Sequence, residues 1–316
     1  MRILFYSHDS YGLGHVRRTI NVAEALLRGA GHASALVVTG SPRAHFFQYP
    51  DRCDYLKLPS VTKSASGAYI PRDIDLTLEE TVRFRSRLIE EAALSLSPGL
   101  VVTDHTPAGL GGEMLRALAA LGRAGAYRVF GMRDVVDDPA SVRAAWRRDG
   151  TLEILERCYE RILVYGQRDL FDPIEEYGLS ESIRRKTVFT GYIGHGEGST
   201  SADSLRARHA PRTGRLVVVA AGGGGDGNLL MNSFLAGYER LGPAAPFEAL
   251  VVTGPLMSPG KRARLLSWAA RIRGVDACTY HEDLPGLYSA AAAVISMVGY
   301  NTISELASVG ARADVV

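Results

Sequence analysis

The chain has 316 residues, enough for two domains at roughly 100–200 residues each. Hydrophobic residues make up 46% and charged residues 22%, which excludes a disordered chain and leaves apolar material for two cores. Lys plus Arg number 36 against 34 Asp plus Glu, a net charge of +2 with no Lys/Arg-rich run, so there is no basic field for nucleic acid. Cys53, Cys158 and Cys278 are far apart and outside CxxC pairs. They read as reduced core thiols rather than a disulfide framework or a metal site. The opening Met1-Arg2-Ile3-Leu4-Phe5-Tyr6-Ser7-His8-Asp9 turns polar after four apolar residues, too few for a signal peptide. No run approaches the ~20 apolar residues of a membrane span. The expectation is a soluble cytoplasmic protein without an integral membrane segment.

Short apolar runs alternate with helical stretches along the chain, the pattern of βα units around a parallel sheet. Ile3 to Tyr6 reads as a strand, Gly12-Leu13-Gly14 as the turn after it, and a helix follows from about His15, with Val16, Ile20, Ala23 and Leu27 as its buried stripe. Ala35 to Thr39 is a second strand, and Ser60 to Asp75 a long polar loop. Leu78 to Leu96 is an amphipathic helix, and Leu100 to Thr103 a strand ending at Asp104-His105. Arg128 to Met132 and Arg161 to Val164 complete the first set. Residues 191–214 are rich in Gly and Ser without an apolar period and read as a linker. The pattern then restarts. Arg215 to Ala221 is an apolar strand, Gly222-Gly223-Gly224-Gly225-Asp226-Gly227 a glycine turn, and a helix starts near Asn228. Ala249 to Thr253 and Ala292 to Ser296 are later strands. The organisation expected is α/β, with a Rossmann-like domain over 1–190, a linker over 191–214 and a second Rossmann-like domain over 215–316, the two facing across a cleft.

A glycine turn at the end of a first strand lets backbone approach a ligand, and the helix after it offers unpaired N–H groups to an anion. A dinucleotide fingerprint is absent. Arg17 stands at the third glycine position of the first turn, and the second strand of each half ends without an acid, at Thr39-Gly40-Ser41 and Thr253-Gly254-Pro255. Asp73-Ile74-Asp75 lies in a polar loop rather than closing a strand, and no HExxH spacing occurs, so no metal and no cofactor are expected. Near the end, Val294-Ile295-Ser296-Met297-Val298-Gly299-Tyr300-Asn301-Thr302-Ile303-Ser304-Glu305-Leu306 runs from strand through a glycine turn into a helix. Its spacing fits two readings equally: a capping box over Thr302 to Glu305, or a helix start whose amides take a diphosphate while a carboxylate holds a ribose.

The three blocks, the turn ending in His15, the loop Gly222 to Gly227 and the stretch Gly299 to Glu305, resemble in order those of GT-B glycosyltransferases of glycosyltransferase family 28, the MurG-like group. Tyr11-Gly12-Leu13-Gly14-His15 and Gly299-Tyr300-Asn301-Thr302 are most similar to a bacterial branch of predicted glycosyltransferases. The resemblance implies an inverting, metal-independent transferase that moves a hexose-type sugar from a nucleotide diphosphate donor, a UDP-sugar by preference, to a small-molecule or lipid-linked acceptor. It implies donor contacts from Gly222, Gly223, Gly224, Gly225, Gly299, Asn301 and Thr302, with Glu305 on the ribose, and it places Gly12, Gly14 and His15 on the acceptor side. His15 is the candidate general base, since a helix N-terminus disfavours an imidazolium. Asp104, at a strand end, is the alternative base or an orienting partner, and Asp9 is similar. Arg133-Asp134 reads equally well as lining the same cleft or as a surface ion pair, and His8, His195 and His281 read as structural.

Family members continue past the helix that bears the ribose glutamate. Here the sequence ends Gly310-Ala311-Arg312-Ala313-Asp314-Val315-Val316, and Val298 stands where the similar branch has another glycine. The expectation is a shortened second domain, a partner subunit being one way to complete it, and a lipid-linked acceptor would bring the protein to a membrane surface peripherally. A UDP-sugar 2-epimerase and a non-catalytic nucleotide-sugar-binding subunit are the alternative functions.

Overall fold

The structure is a computed structural model that describes all residues except 9–13, 65–66, 195–197, 199, 298 and 316. The chain divides into two units, Met1–Tyr192 and Ile193–Val316, each with its own parallel sheet.

Unit 1 runs β1 (Arg2–Ser7), α1 (Gly14–Gly29), β2 (Ser34–Thr39), β3 (Cys53–Lys57), β4 (Val61–Lys63), β5 (Tyr69–Pro71), α2 (Leu78–Leu96), β6 (Leu100–Asp104), α3 (Leu115–Arg123), β7 (Tyr127–Arg133), α4 (Pro139–Arg148), α5 (Thr151–Cys158), β8 (Arg161–Tyr165), α6 (Pro173–Glu176), α7 (Glu181–Lys186) and β9 (Thr187–Phe189). Its main sheet has the order β3-β2-β1-β6-β7-β8-β9. A parallel strand covered by helices on both faces must be apolar on both, and β1 satisfies this. Ile3 and Phe5 join α1 residues Ala23 and Leu27 in one core, while Leu4 and Tyr6 join Ile89, Met114 and Leu118 in the other. The chain leaves β1 in one direction for β2 and β3 and later returns to the opposite side as β6. The strand order therefore reverses between β1 and β6, and the C-terminal ends of those strands form the crevice where α/β sheets bind ligands. Ser7 pairs with Asp104 in this register.

The helix α1 is anchored at its far end by Arg52, whose guanidinium donates to the carbonyls of Leu27 (2.6 Å), Gly31 (2.7 Å), Ala33 (2.8 Å) and Ala30 (3.2 Å). Cationic donors suit the orphan carbonyls and negative dipole end of a helix C-terminus. The segment expected as one polar loop over Ser60 to Asp75 contains the antiparallel ribbon β4–β5, in which Thr62 pairs with Ile70. Two strands of three residues are too short to show a period of two. Asp73 and Asp75 lie exposed in the bend that follows. Behind the sheet, Arg85 on α2 donates from Nε to Glu113 Oε2 (2.6 Å) and from Nη2 to Oε1 (2.7 Å), and the Tyr6 hydroxyl donates to Oε1 (2.6 Å). All three residues are buried.

Unit 2 runs α8 (Ala202–His209), β10 (Leu216–Ala220), α9 (Asn228–Leu241), β11 (Glu248–Val252), α10 (Pro259–Ala269), β12 (Val275–Cys278), α11 (Leu284–Ala290), β13 (Ala293–Ser296), α12 (Tyr300–Ser308) and β14 (Ala313–Val315). The sheet order is β12-β11-β10-β13-β14, all parallel, with the reversal between β10 and β13. Val217 and Val219 face one core and Leu216, Val218 and Ala220 the other. The segment read as a linker carries α8, capped by the Ser201 hydroxyl, and α8 sinks Leu205 into the second core. So few of its residues reach that core that the sequence shows no period. No helix among the described residues is long and apolar enough to cross a membrane.

Truncating Glu113 would strand a buried guanidinium, which costs about 3–5 kcal/mol. Glu113→Ala is expected to lower the urea midpoint of unit 1 accordingly. A shift of under about 1 kcal/mol would show that the pair does not hold this side of the sheet.

Candidate functional site

In unit 1 the chemistry collects at the β1/β6 crevice. His15 is the second residue of α1, and its Nδ1 lies 2.8 Å from Asp104 Oδ2 at the end of β6. Arg18, one turn along the same helix face, donates from Nε to Asp104 Oδ1 (2.9 Å) and from Nη2 to Oδ2 (2.7 Å). Arg18 Nη2 also sits 2.8 Å from His15 Nδ1. Nδ1 can donate to the carboxylate or accept from the guanidinium, not both. With its proton directed at Asp104, whose anion can only accept, the lone pair is left on Nε2. Side-chain exposure is 20% for His15 against 4% for Asp104 and 1% for Arg18. The imidazole is thus the least buried part of this trio.

Burial alone would push the Asp104 carboxyl up. The Arg18 charge and the hydrogen bond from His15 outweigh it and hold the group well below the usual carboxylate range. The guanidinium of Arg18 also lies over the Tyr165 ring at 5.4 Å. Tyr165 reaches that place because Gly131 on β7 has no side chain: a Cβ there would stand 1.9 Å from the Tyr165 hydroxyl.

Two further histidines line the same edge. His8 follows β1 and His105 follows β6, and the Ser7–Asp104 pairing sets them side by side. The ring centroids are 4.6 Å apart for His15 and His105, 6.0 Å for His8 and His15, and 5.9 Å for His8 and His105. His105 has φ +68°, a left-handed conformation unusual for a residue with a Cβ, fixed by its amide donating to Gly131 O at 2.8 Å. Burial, with the Arg85 charge adding to it, pushes His8 down to about 3. Burial, His15 and Arg133 likewise hold His105 well below its ordinary value. His8, expected to be structural, has its place within this cluster. Its signal, a histidine just past each of two strand ends, becomes visible only with the strand register. Arg18 was detectable in principle, because it shares a helix face with His15. Gly14 opens α1, whereas Gly12 and Asp9 lie outside the described residues, as does His195. Asp134 is buried and accepts from the Tyr192 hydroxyl at 2.9 Å, so of the two readings of Arg133-Asp134 the surface ion pair does not hold. His281 accepts from the Asp283 amide.

In unit 2 the residues gather at the β10/β13 edge. Gly222 and Gly299 both approach Thr302: a Cβ on either would lie 3.6 Å from Thr302 Oγ1. The helix α12 begins at Tyr300 with Gly299 as its N-cap. The capping box read over Thr302 to Glu305 is therefore not formed, because Thr302 and Glu305 lie inside the helix and the cap position offers no side-chain acceptor. Ser304 bonds back to Tyr300 O instead (2.8 Å). Asn301, in the first turn, is half-buried, and Glu305 is buried one turn further on. The glycine loop divides in two. The Gly224 amide donates to Ala221 O (2.8 Å), and a Cβ on Gly224, which has φ +88°, would stand 1.9 Å from Thr253 O. The Gly223 carbonyl accepts from Leu256 N (2.8 Å). Gly223 and Gly224 thus have a close chain-to-chain approach to explain them, while Gly222 and Gly225 are exposed. Among the described residues no group of three or more His, Cys, Asp or Glu could hold a metal ion.

Two doubly wound sheets, each with a glycine turn or helix start at its switch point, define a class of fold: that of the GT-B glycosyltransferases. Among solved structures, UGT2 of Phytolacca americana with UDP-2-fluoro-glucose and pterostilbene aligns over 100% of this chain and 80% of its own, at TM-score 0.65 and 16% identity. HepE of Anabaena with UDP-glucose aligns over 100% and 80%, at 0.57 and 15%. MurG of Acinetobacter baumannii aligns over 99% and 78%, at 0.54 and 12%. At these identities the likeness is one of fold. No protein-family model and no curated protein matches the chain.

The buried His8 sets a pH dependence. Below about pH 6.5 an unfolded histidine binds a proton that the folded ring refuses until about pH 3. The unfolded state then holds more protons, so stability falls as the pH falls through this window. The loss is on the order of 3 kcal/mol at pH 4. His8→Phe is expected to lose less Tm between pH 7 and pH 4 than the parent. Equal slopes would contradict a neutral, buried His8.

Proposed function

We propose that the chain is an inverting, metal-independent glycosyltransferase that transfers a hexose-type sugar from a UDP-sugar to an acceptor hydroxyl. The observation that carries this reading is the His15–Asp104 pair at 2.8 Å, set at a switch point of a glycosyltransferase fold. His15 Nε2 takes the acceptor proton as general base. The acceptor oxygen bonds to the anomeric carbon, the bond from that carbon to the β-phosphate oxygen breaks, and its electron pair leaves with UDP. Asp104 is the orienting partner rather than the base. Both of its oxygens are already engaged by Arg18 and His15, and as an anion it stabilises the imidazolium that forms.

The leaving diphosphate is assigned to the N-terminal turn of α12, at Asn301 and Thr302, with the exposed Gly222 and Gly225 of the loop beside Gly299. Backbone amides and the positive end of a helix dipole stabilise charge that develops there. Gly223 and Gly224 shape the loop that carries them. Glu305 is assigned to the ribose hydroxyls. That UGT2 and HepE, of like fold, were solved with UDP-sugars supports this choice of donor.

General-base catalysis contributes typically 10²–10⁴-fold. His15→Ala is expected to slow UDP release from a UDP-sugar by at least about 100-fold while calorimetric UDP affinity stays within about twofold. Retained turnover would remove His15 from the base role. Glu305→Ala should weaken UDP binding by about 1.5–3 kcal/mol, the contribution of a charged hydrogen bond, with the circular dichroism spectrum unchanged. An unaltered Kd in a folded variant would overturn the ribose assignment.

A further inference from the structure

The near-neutral charge of the chain is unevenly placed. From 249 to 275 it carries Lys261, Arg262, Arg264, Arg271 and Arg273 and no Asp or Glu. These residues lie on α10 and in the turn after it, and all except the half-buried Arg262 are exposed. Arg262 donates to Met257 O (3.3 Å) and Pro255 O (3.4 Å). The other four have no ion pair or hydrogen bond among the described residues. Other exposed helices set an acid one turn before an arginine, as in Glu24–Arg28 (2.7 Å), Glu153–Arg157 (3.0 Å) and Glu181–Arg185 (3.3 Å).

This arrangement works against the helix that carries it. Lys261 and Arg264 are like charges three positions apart. With Arg262 they crowd the first turns of α10, the positive end of its dipole, where no acid stands. The neighbouring elements do not compensate. α9 ends with one acid and one cation, Glu239 and Arg240. Asp276 on β12 lies 3.5 Å from His209 Nδ1, and Glu248 at the start of β11 is held by Arg212 at 3.0 Å. Asp226, in the glycine loop, forms no ion pair with a cation of α10 among the described residues. Five cations are thus kept together at a cost to the fold, which an anionic partner would offset.

The shape of the site narrows the choice of partner. A groove of about 520 Å³ runs beside α10, lined by Ala263, Arg264, Ser267, Trp268 and Arg271. Arg264 and Arg271 are two turns apart, about 10 Å along the axis, and the small side chains of Ala263 and Ser267 admit another chain closely. Trp and Arg are the residue types that dominate binding at protein–protein contacts. An interfacial membrane helix needs bulky apolar side chains to insert, whereas the exposed residues of α10 are Pro259, Gly260, Lys261, Ala263, Arg264 and Ser267. Single-stranded nucleic acid stacks its bases on exposed aromatics, whereas Trp268 is half-buried against the core beneath.

We propose that α10 is a docking face for an acidic helical segment of another protein. The segment lies along the groove with carboxylates two turns apart on Arg264 and Arg271, and its apolar side chains meet Ala263, Ser267 and Trp268. α10 packs over the edge strand β12, while the proposed donor residues gather at β10 and β13. The docking face therefore stands independently of the transferase reading.

The test uses the whole chain. Trp146 and Trp268 are its only tryptophans, so Trp146→Phe leaves Trp268 as a fluorescent reporter of the groove. The probes are a designed helical peptide with glutamates seven positions apart, its lysine counterpart, phosphatidylglycerol vesicles and a DNA duplex. The glutamate peptide should shift Trp268 emission and bind most tightly, and its Kd should rise steeply with added salt. Arg264→Glu combined with Arg271→Glu should weaken that binding at least tenfold and create binding of the lysine peptide, with the calorimetric Kd for UDP and the circular dichroism spectrum unchanged. Lys261→Glu should unfold at or above the parent's Tm, because an acid then occupies the first turn of α10. Tighter binding of the vesicles or the duplex, glutamate-peptide binding that is absent or survives the double reversal, or a lowered Tm in Lys261→Glu would overturn the assignment.

Discussion

Asp104 is a buried carboxylate reached from three directions: two N–H groups of one guanidinium and one imidazole nitrogen. Isolated, it would be too costly to bury, and without it Arg18, at 1% side-chain exposure, would be a stranded cation. Each charge is admissible only because the other is present. The requirement spreads outward, since Arg18 lies against Tyr165 and Tyr165 fits only beside a residue without a side chain, Gly131. Residues from α1, β6, β7 and β8 are thereby fixed by one electrostatic condition, and the ring of His15 is its least buried member.

The sequence made the framework legible where periodicity was long or unbroken. The helix over Leu78 to Leu96 and the strand opening with Ile3 emerge much as their apolar spacing predicts. His15 and Asp104 were legible separately, one by its place at a helix start and the other by its place at a strand end. Their pairing depends on a parallel register linking residues 89 positions apart, which no local pattern encodes. The grouping of His8 and His105 was hidden for the same reason. The ribbon β4–β5 and helix α8 were missed because each commits too few side chains to a core to generate a period.

Unit 2 shows how one composition can serve two ends. The run Gly222 to Gly225 has no Cβ to keep other groups at a distance. Half of it is explained by the close passage of the 253–256 backbone, which leaves no room for a Cβ at Gly224. The other half stays exposed at the edge of the sheet. The stretch from Thr302 to Glu305 shows the converse. A pattern that imitates a capping box lies a turn inside the helix, while a real box forms at Thr77 and Glu80 at the start of α2.

The four carbonyls gathered by Arg52 make α1 a stiff rod held at both ends, by a guanidinium at one and by the Asp104 cluster at the other. At 1.5 Å per residue the two anchors are about 20 Å apart. A rod of this kind transmits tilt rather than absorbing it, so loosening the distant anchor would swing the imidazole like the tip of a lever. The loop around Arg52 is thus a remote handle on the His15 ring, whose orientation is a property of the entire helix.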